Sequence, residues 1–364
     1  MNPYYSVAYN PADSMAVDRF SKAGANEIFA AVTSRNFGSG RPKGAEITYE
    51  MLAEHFGRAR EIGLKTTLLF NPACTGNREF TEDGKRELVE VARFINENSI
   101  DYVTVANPWM INAFRALCPD AGIKISSHYN CDDWGKFRLM LEHLKADIVI
   151  VSQFANKNFR LLRQVIREYG ADRLEIMCTV PCMAGCPYRT WHADAFAHAD
   201  EAPLPEEANQ FPCVNDIVSN PNIAISSQFI RREDLSYYLR LGIDKFKIGE
   251  RFAPNFLNAN CIDYYHGGPR TGLWDIIGKE FGGAGLKRVH FERMDGFYEP
   301  FFNEECDGTK YNCNDCTHCM EYAERCLEFK TDFDPPPRGY QRDYLKGHVA
   351  DLRRRMDEDE TKGQ

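Results

Sequence analysis

Short apolar runs alternate with amphipathic stretches of helical period through the first two-thirds of the chain. The runs predict strands at Ser6–Asn10, Glu27–Thr33, Lys65–Asn71, Asp101–Asn107, Lys124–Tyr129, Asp147–Ser152, Arg173–Thr179 and Lys245–Glu250. Between them, Thr48–Ile62, Glu82–Asn98 and Asn158–Tyr169 repeat their apolar positions as one buried helix face does. Gly24, Gly63, Gly170 and Gly242 stand where helix C-caps need a left-handed residue. Strand–helix alternation of this kind predicts an α/β fold, a (β/α)8 TIM-like barrel rather than an open doubly wound sheet. No glycine-rich fingerprint follows the first strand, which weakens a dinucleotide-binding reading.

A barrel keeps its chemistry at the C-terminal ends of its strands. Three of those ends are Asn-Pro, at Asn10, Asn71 and Asn107. They are read either as turn chemistry or as a ring of amides at the mouth. The fifth strand delivers His128, a candidate acid or base near neutral pH, and the eighth delivers Lys247 and Arg251 as candidate anion contacts. The seventh leads into Cys178, Cys182 and Cys186, followed by Arg189 and, beyond an acidic insertion, Cys213. Side chains alternate along a strand, so Cys178 and Cys182 are expected on one face while the extended geometry lasts. Thiols this dense, in a turn broken by Pro181, Gly185 and Pro187, suit soft-metal or cluster ligation better than buried structural roles.

The sequence holds 13 cysteines in 364 residues at a net charge of −9. The charge argues against a general nucleic-acid binder and leaves small-molecule or carrier-bound substrates as the expected partners. No basic and apolar leader opens the chain and no apolar run is long enough for a bilayer, so the expectation is a cytoplasmic protein with no membrane contact. Disulfides are rare in that compartment, and a metal then accounts for the cysteines. A second group lies at the end, where Cys313, Cys316 and Cys319 have two-residue gaps, flanked by Cys306 and Cys326. That spacing matches the C-x2-C-x2-C run of ferredoxin-type clusters, with zinc as the alternative. The expected organisation is a barrel over 1–275, a small Cys-rich domain over 276–330 that takes a metal at Cys313, Cys316, Cys319 and Cys326, and a linker with a charged tail over 331–364.

These features resemble the collagenase-like peptidase family, peptidase family U32. The resemblance is carried by KAGANEIF, by FGSGR at Phe37–Arg41, by LEIMC at the seventh strand, by the Cys182/Cys186 pair, and by FIRREDLSYYLRLGIDKFKIGER at Phe229–Arg251. It implies a (β/α)8 barrel, a four-cysteine [4Fe–4S] site of the kind held by the ubiquinone- and RNA-hydroxylation members, and oxygen-independent hydroxylation. The chain departs from the family where Thr179-Val180-Pro181 replaces a His-Gly and where the usual Lys-x-Glu-Gly-Arg reads Lys247-Ile248-Gly249-Glu250-Arg251. A fourth downstream cysteine is also without a clear equivalent. The expected enzyme is thus an iron–sulfur oxidoreductase, with Cys182, Cys186, Cys213 and either Cys178 or a C-terminal cysteine on the barrel cluster and His128, Arg189 and Lys247 on the substrate. A donor protein would supply its electrons. A peptidase and a non-catalytic electron-transfer or binding protein are the alternatives.

Overall fold

The computed structural model describes residues 2–33, 46–199, 217, 220–251, 253–283, 285–308, 316–331 and 349–355. Eight parallel strands close into a barrel in sequential order: β1 (Tyr4–Ala8), β2 (Glu27–Ala30), β3 (Lys65–Phe70), β4 (Tyr102–Val105), β5 (Gly122–Ile125), β6 (Ile148–Ile150), β7 (Leu174–Met177) and β8 (Lys245–Ile248). Closure comes from β1 pairing with β8, Ser6 opposite Lys247. Each expected strand is present, with its C-terminal end trimmed where the chain turns out of the sheet, and β1 and β5 begin two residues earlier than expected.

The helices begin where a side chain can satisfy the orphan N–H groups of the first turn. Thr48 caps Tyr49–Glu61, Thr81 caps Glu82–Glu97 and Asn158 caps Phe159–Tyr169, each accepting a backbone N–H with its side-chain oxygen. At Gly24 the chain leaves its helix with φ +97°, a conformation that a Cβ would penalise.

Strand alternation splits the apolar residues into two cores. Outward-facing residues such as Val7, Ile28, Leu68, Val103, Ile123, Val149, Ile176 and Phe246 join the helices in one continuous outer layer. Ala8, Phe29, Ala31 and Leu69 form a separate small cluster inside the barrel.

The segment expected as a small domain over 276–330 packs against the barrel helices. Helix Thr271–Gly283 runs across the expected boundary. It crosses the preceding helix, Asn255–Tyr265, so closely that a Cβ at Gly272 would lie 2.3 Å from the Asn260 carbonyl oxygen. Beyond it, Leu286, Val289, Phe291, Met294, Tyr298, Phe301, Tyr322 and Cys326 belong to the same outer core as the barrel helices. Strands β9 (Leu286–Val289) and β10 (Leu327–Phe329) pair antiparallel on its surface. Most of the expected 331–364 tail lies outside the described residues. Among the described residues no helix is long and apolar enough to cross a membrane.

Candidate active site at the barrel mouth

The lower interior of the barrel is ionic. Lys124 of β5 donates to both oxygens of Glu27 (2.7 and 2.8 Å) and to Glu175 of β7 (3.3 Å), and all three side chains are sealed from solvent. Ser6 and Thr67 also donate to Glu27 Oε1. Burial works against the Glu27 carboxylate, yet Lys124 and Lys247 hold its pKa below the ordinary value. Burial likewise opposes the Lys124 ammonium, while Glu175 and Glu27 hold its pKa above the ordinary value.

Lys247 reaches in from β8. Its Nζ lies 3.3 Å from the centroid of the Phe29 ring and has no hydrogen-bond partner. Burial pulls its pKa down to about 8, against the opposing pull of Glu175.

Near the mouth, further buried polar atoms lack partners: Asn71 Oδ1 after β3, Thr104 Oγ1 on β4 and Gln153 Nε2 beyond β6. Unpaired polar atoms inside a barrel are costly unless a ligand or water meets them. The three Asn-Pro ends now separate. Asn10 accepts from Ala12 N–H in a turn, and Asn107 accepts from Trp109 N–H as the cap of helix Pro108–Leu117. Asn71 alone is turned to the interior, where its amide donates to Ser126 Oγ at 2.9 Å.

Over the rim lies a cavity of about 370 Å3 lined by Asn107, His128, Asn130, Lys136, Thr190 and Asp194 among others. His128 sits in a short turn after β5, and its Nδ1 is 3.1 Å from the Asn71 carbonyl. A carbonyl only accepts, so Nδ1 carries the proton and Nε2 is the basic nitrogen of the neutral ring. Helix Arg189–Ala197 closes the cavity with Thr190, Ala193 and Asp194. Arg189 opens that helix, its N–H donating to Cys186 O, and neither Arg189 nor Lys247 is part of the cavity wall. Of the three expected substrate contacts, His128 is therefore in the cavity wall. Lys247 lies deeper in the barrel.

The cysteines divide differently from the expectation. Cys182 and Cys186 are half-buried on the turn after β7, where Gly185 has φ +58° and Gln228 N–H holds the Cys182 carbonyl at 3.2 Å. Cys178 is turned the other way. Met177 pairs in register with Lys247, and Glu175 reaches Lys124 inside the barrel, so the even positions of β7 face the helices. Cys178 is fully buried in the outer core beside Cys261, Tyr238 and Tyr265, where burial pushes its thiol well above the ordinary value. Cys213 and Cys313 lie outside the described residues.

At the C-terminal end, Cys306 and Cys319 lie near Lys157, and Cys316 lies near Cys306. Cys306 feels both Cys316 and Lys157, and Lys157 feels both Cys319 and Cys306. Lys157 is itself buried, its Nζ donating to the Ser226 and Ser227 carbonyls at 2.9 and 2.6 Å, and burial lowers its pKa to about 8. Cys326 does not join this group. It is fully buried in the outer core, among Arg325, Arg231 and Arg293, and its carbonyl accepts from His290 N–H.

A four-thiolate iron–sulfur group at the mouth is therefore matched only in part. Cys182 and Cys186 fit as two ligands, Cys178 does not, and among the described residues no three Cys, His, Asp or Glu side chains are grouped to hold one metal ion. Reading the sequence did not single out Lys157, Glu27, Lys124 or Glu175. For Glu27, Lys124 and Glu175 the only signal was a charged residue in an otherwise apolar strand, and Lys157, in the turn before helix Phe159–Tyr169, carried none.

The family model for peptidase family U32 matches residues 13–165, from the turn after β1 through most of helix Phe159–Tyr169. That stretch of the chain is similar to peptidase family U32. A relative from Methanocaldococcus jannaschii, described as an uncharacterized protease, is 24% identical over 299 residues, which are 80% of this chain and 86% of the relative. The solved structure of the U32 peptidase Mk0906 superposes with a TM-score of 0.50 at 17% identity, covering 70% of this chain and 94% of that one, a likeness of fold. Both cysteine groups lie beyond the residues that the family model matches.

Proposed function

We propose that this chain is an enzyme that carries out oxygen-independent redox modification, hydroxylation in the first place, of a small or carrier-bound polar substrate at the barrel mouth. The observation that supports it is the set of buried, partnerless polar atoms (Asn71 Oδ1, Thr104 Oγ1, Gln153 Nε2 and Lys247 Nζ) beneath a cavity walled by His128. An electron-transfer module has no need of such a set, whereas a polar substrate meets it. In this reading His128 Nε2 takes up or gives a proton, and the amide and hydroxyl groups orient the substrate. Cys182 and Cys186, with Cys213, are the thiols offered to an iron–sulfur group, which when bound supplies the electron transfer that side chains cannot.

The test is anaerobic purification of the full chain with iron, sulfide and zinc analysis, followed by comparative metabolite and nucleoside mass spectrometry of a deletion strain. The expected outcome is iron with acid-labile sulfide and the loss of a hydroxylated product. The second reading, a peptidase, is favoured by the names of the relative and of the solved structure. Iron-free protein that cleaves a peptide library, with cleavage lost on His128→Ala, would establish it instead.

A further inference from the structure

The inference concerns Lys247 and rests on the reading of the mouth as a substrate site. Phe246 and Ile248 on either side of it belong to the outer core, so Lys247 projects inward. It is 8% exposed, whereas Lys124 below it is 0% exposed, so the layer of Lys247 is not sealed off. Toward the mouth, β8 is followed by Gly249, which has no side chain and turns out of the strand at φ +91°; a Cβ there would lie 2.6 Å from Asn258 Oδ1 and 3.2 Å from the methyl group of Ala8, the next inward position on the neighbouring β1. No bulky side chain from these two strands stands over the amine.

Two features distinguish this lysine from a structural one. Its Nζ makes no hydrogen bond and rests against the face of Phe29, so its surroundings desolvate it without fixing it. It is also drawn into an interior charge balance. Glu27 and Glu175 carry two negative charges, and Lys124, which bonds both, supplies one positive charge. Lys247 supplies the second, and Glu175 is the largest influence keeping it protonated.

We propose that Lys247 is a nucleophilic amine that condenses with the carbonyl carbon of a small aldehyde or ketone to give a protonated Schiff base. The lone pair of the neutral amine forms the C–N bond, the carbonyl π pair moves to oxygen, and that oxygen takes up a proton. Loss of water from the resulting carbinolamine then leaves C=N. Summed from the ammonium, the protonated lysine and the carbonyl compound give the protonated imine and one water, with no electron transferred and no net proton. The product keeps one positive charge where the ammonium had it, so the balance with Glu27 and Glu175 is preserved. Burial also leaves about a tenth of the amine neutral at pH 7, far more than for an exposed lysine.

The experiment incubates the full chain at pH 7 separately with pyruvate, glyoxylate and dihydroxyacetone in the presence of sodium cyanoborohydride. The hydride adds to the imine carbon and fixes it as a secondary amine, which intact-mass and peptide-mapping spectrometry locate. The expected result is an adduct at Lys247, enriched on the order of tenfold or more over the exposed Lys65 and Lys85 and absent in Lys247→Arg. Circular dichroism checks that this variant folds, and if it does not, the wild-type map decides alone. Labelling confined to exposed lysines overturns the proposal. If the same compounds still raise the melting temperature without an adduct, the Schiff base fails and the substrate reading of the mouth survives. With neither adduct nor shift, both fall for this substrate class.

Discussion

Lys124 illustrates how much of this barrel depends on single charges. It sits at 0% exposure between Glu27 and Glu175, and removing one partner of a buried ionic group leaves the others uncompensated. Lys124→Met is expected to cost about 3–5 kcal/mol at neutral pH, measured by urea unfolding. The pair Glu27→Gln with Lys124→Met should recover most of that loss. The pH dependence follows from the two shifts. The Lys124 pKa is raised, so its contribution is complete below the ordinary 10.5 and is lost as pH rises through the folded value. The Glu27 pKa is lowered, so its contribution is complete above the ordinary 4.5 and is lost as pH falls through the folded value. The gap between wild type and Lys124→Met should therefore be widest between these limits and close on both sides. A gap independent of pH would mean that the lysine acts by volume and not by charge.

At the scale of elements, the strands and helices were legible because each carries its own periodicity, and several helices add a capping side chain or a glycine at their end. The strand ends were less so, since Asn71 and Asn107 continue an apolar run while their side chains already serve the turn or the interior. The facing of Cys178 was not legible. Which parity of β7 points inward is decided by Glu175 meeting Lys124 from β5, a contact across the barrel that no local pattern records. The place of the C-terminal segment was hidden for a similar reason. Its anchor is Arg231, 1% exposed, which bonds Asp234 twice (2.7 and 2.8 Å) and reaches the Phe291 carbonyl, Asp295 and the Met294 carbonyl. Arg231→Met strands Asp234 and two carbonyls in the core, and the expected loss is about 3–5 kcal/mol. A chain ending at residue 275 should fail to give a cooperative melt, because Phe281, Phe291 and Tyr298 fill the same outer core as Phe229 and Tyr238. A cooperative melt of that truncated chain would restore the segment as a domain of its own.

Across the whole molecule, the two thiol groups meet through one turn. Lys157, beside Cys306 and Cys319, bonds the Ser226 and Ser227 carbonyls, and the next residue, Gln228, holds the Cys182 carbonyl. The cysteines that face these two places are therefore separable from those that only pack. If both places bind iron, Cys182→Ser with Cys186→Ser should remove the share of iron held near the mouth and leave the rest. Cys316→Ser with Cys319→Ser should do the reverse. Cys178→Ala and Cys326→Ala remove small buried side chains from the outer core, so each should lower stability by about 1 kcal/mol with iron content unchanged. Iron per chain after anaerobic purification, read beside the melting temperature of each variant, checks all four. Loss of iron in Cys178→Ala at an unchanged melting temperature would return that thiol to the ligand set, and would require β7 to present its other face when metal is bound.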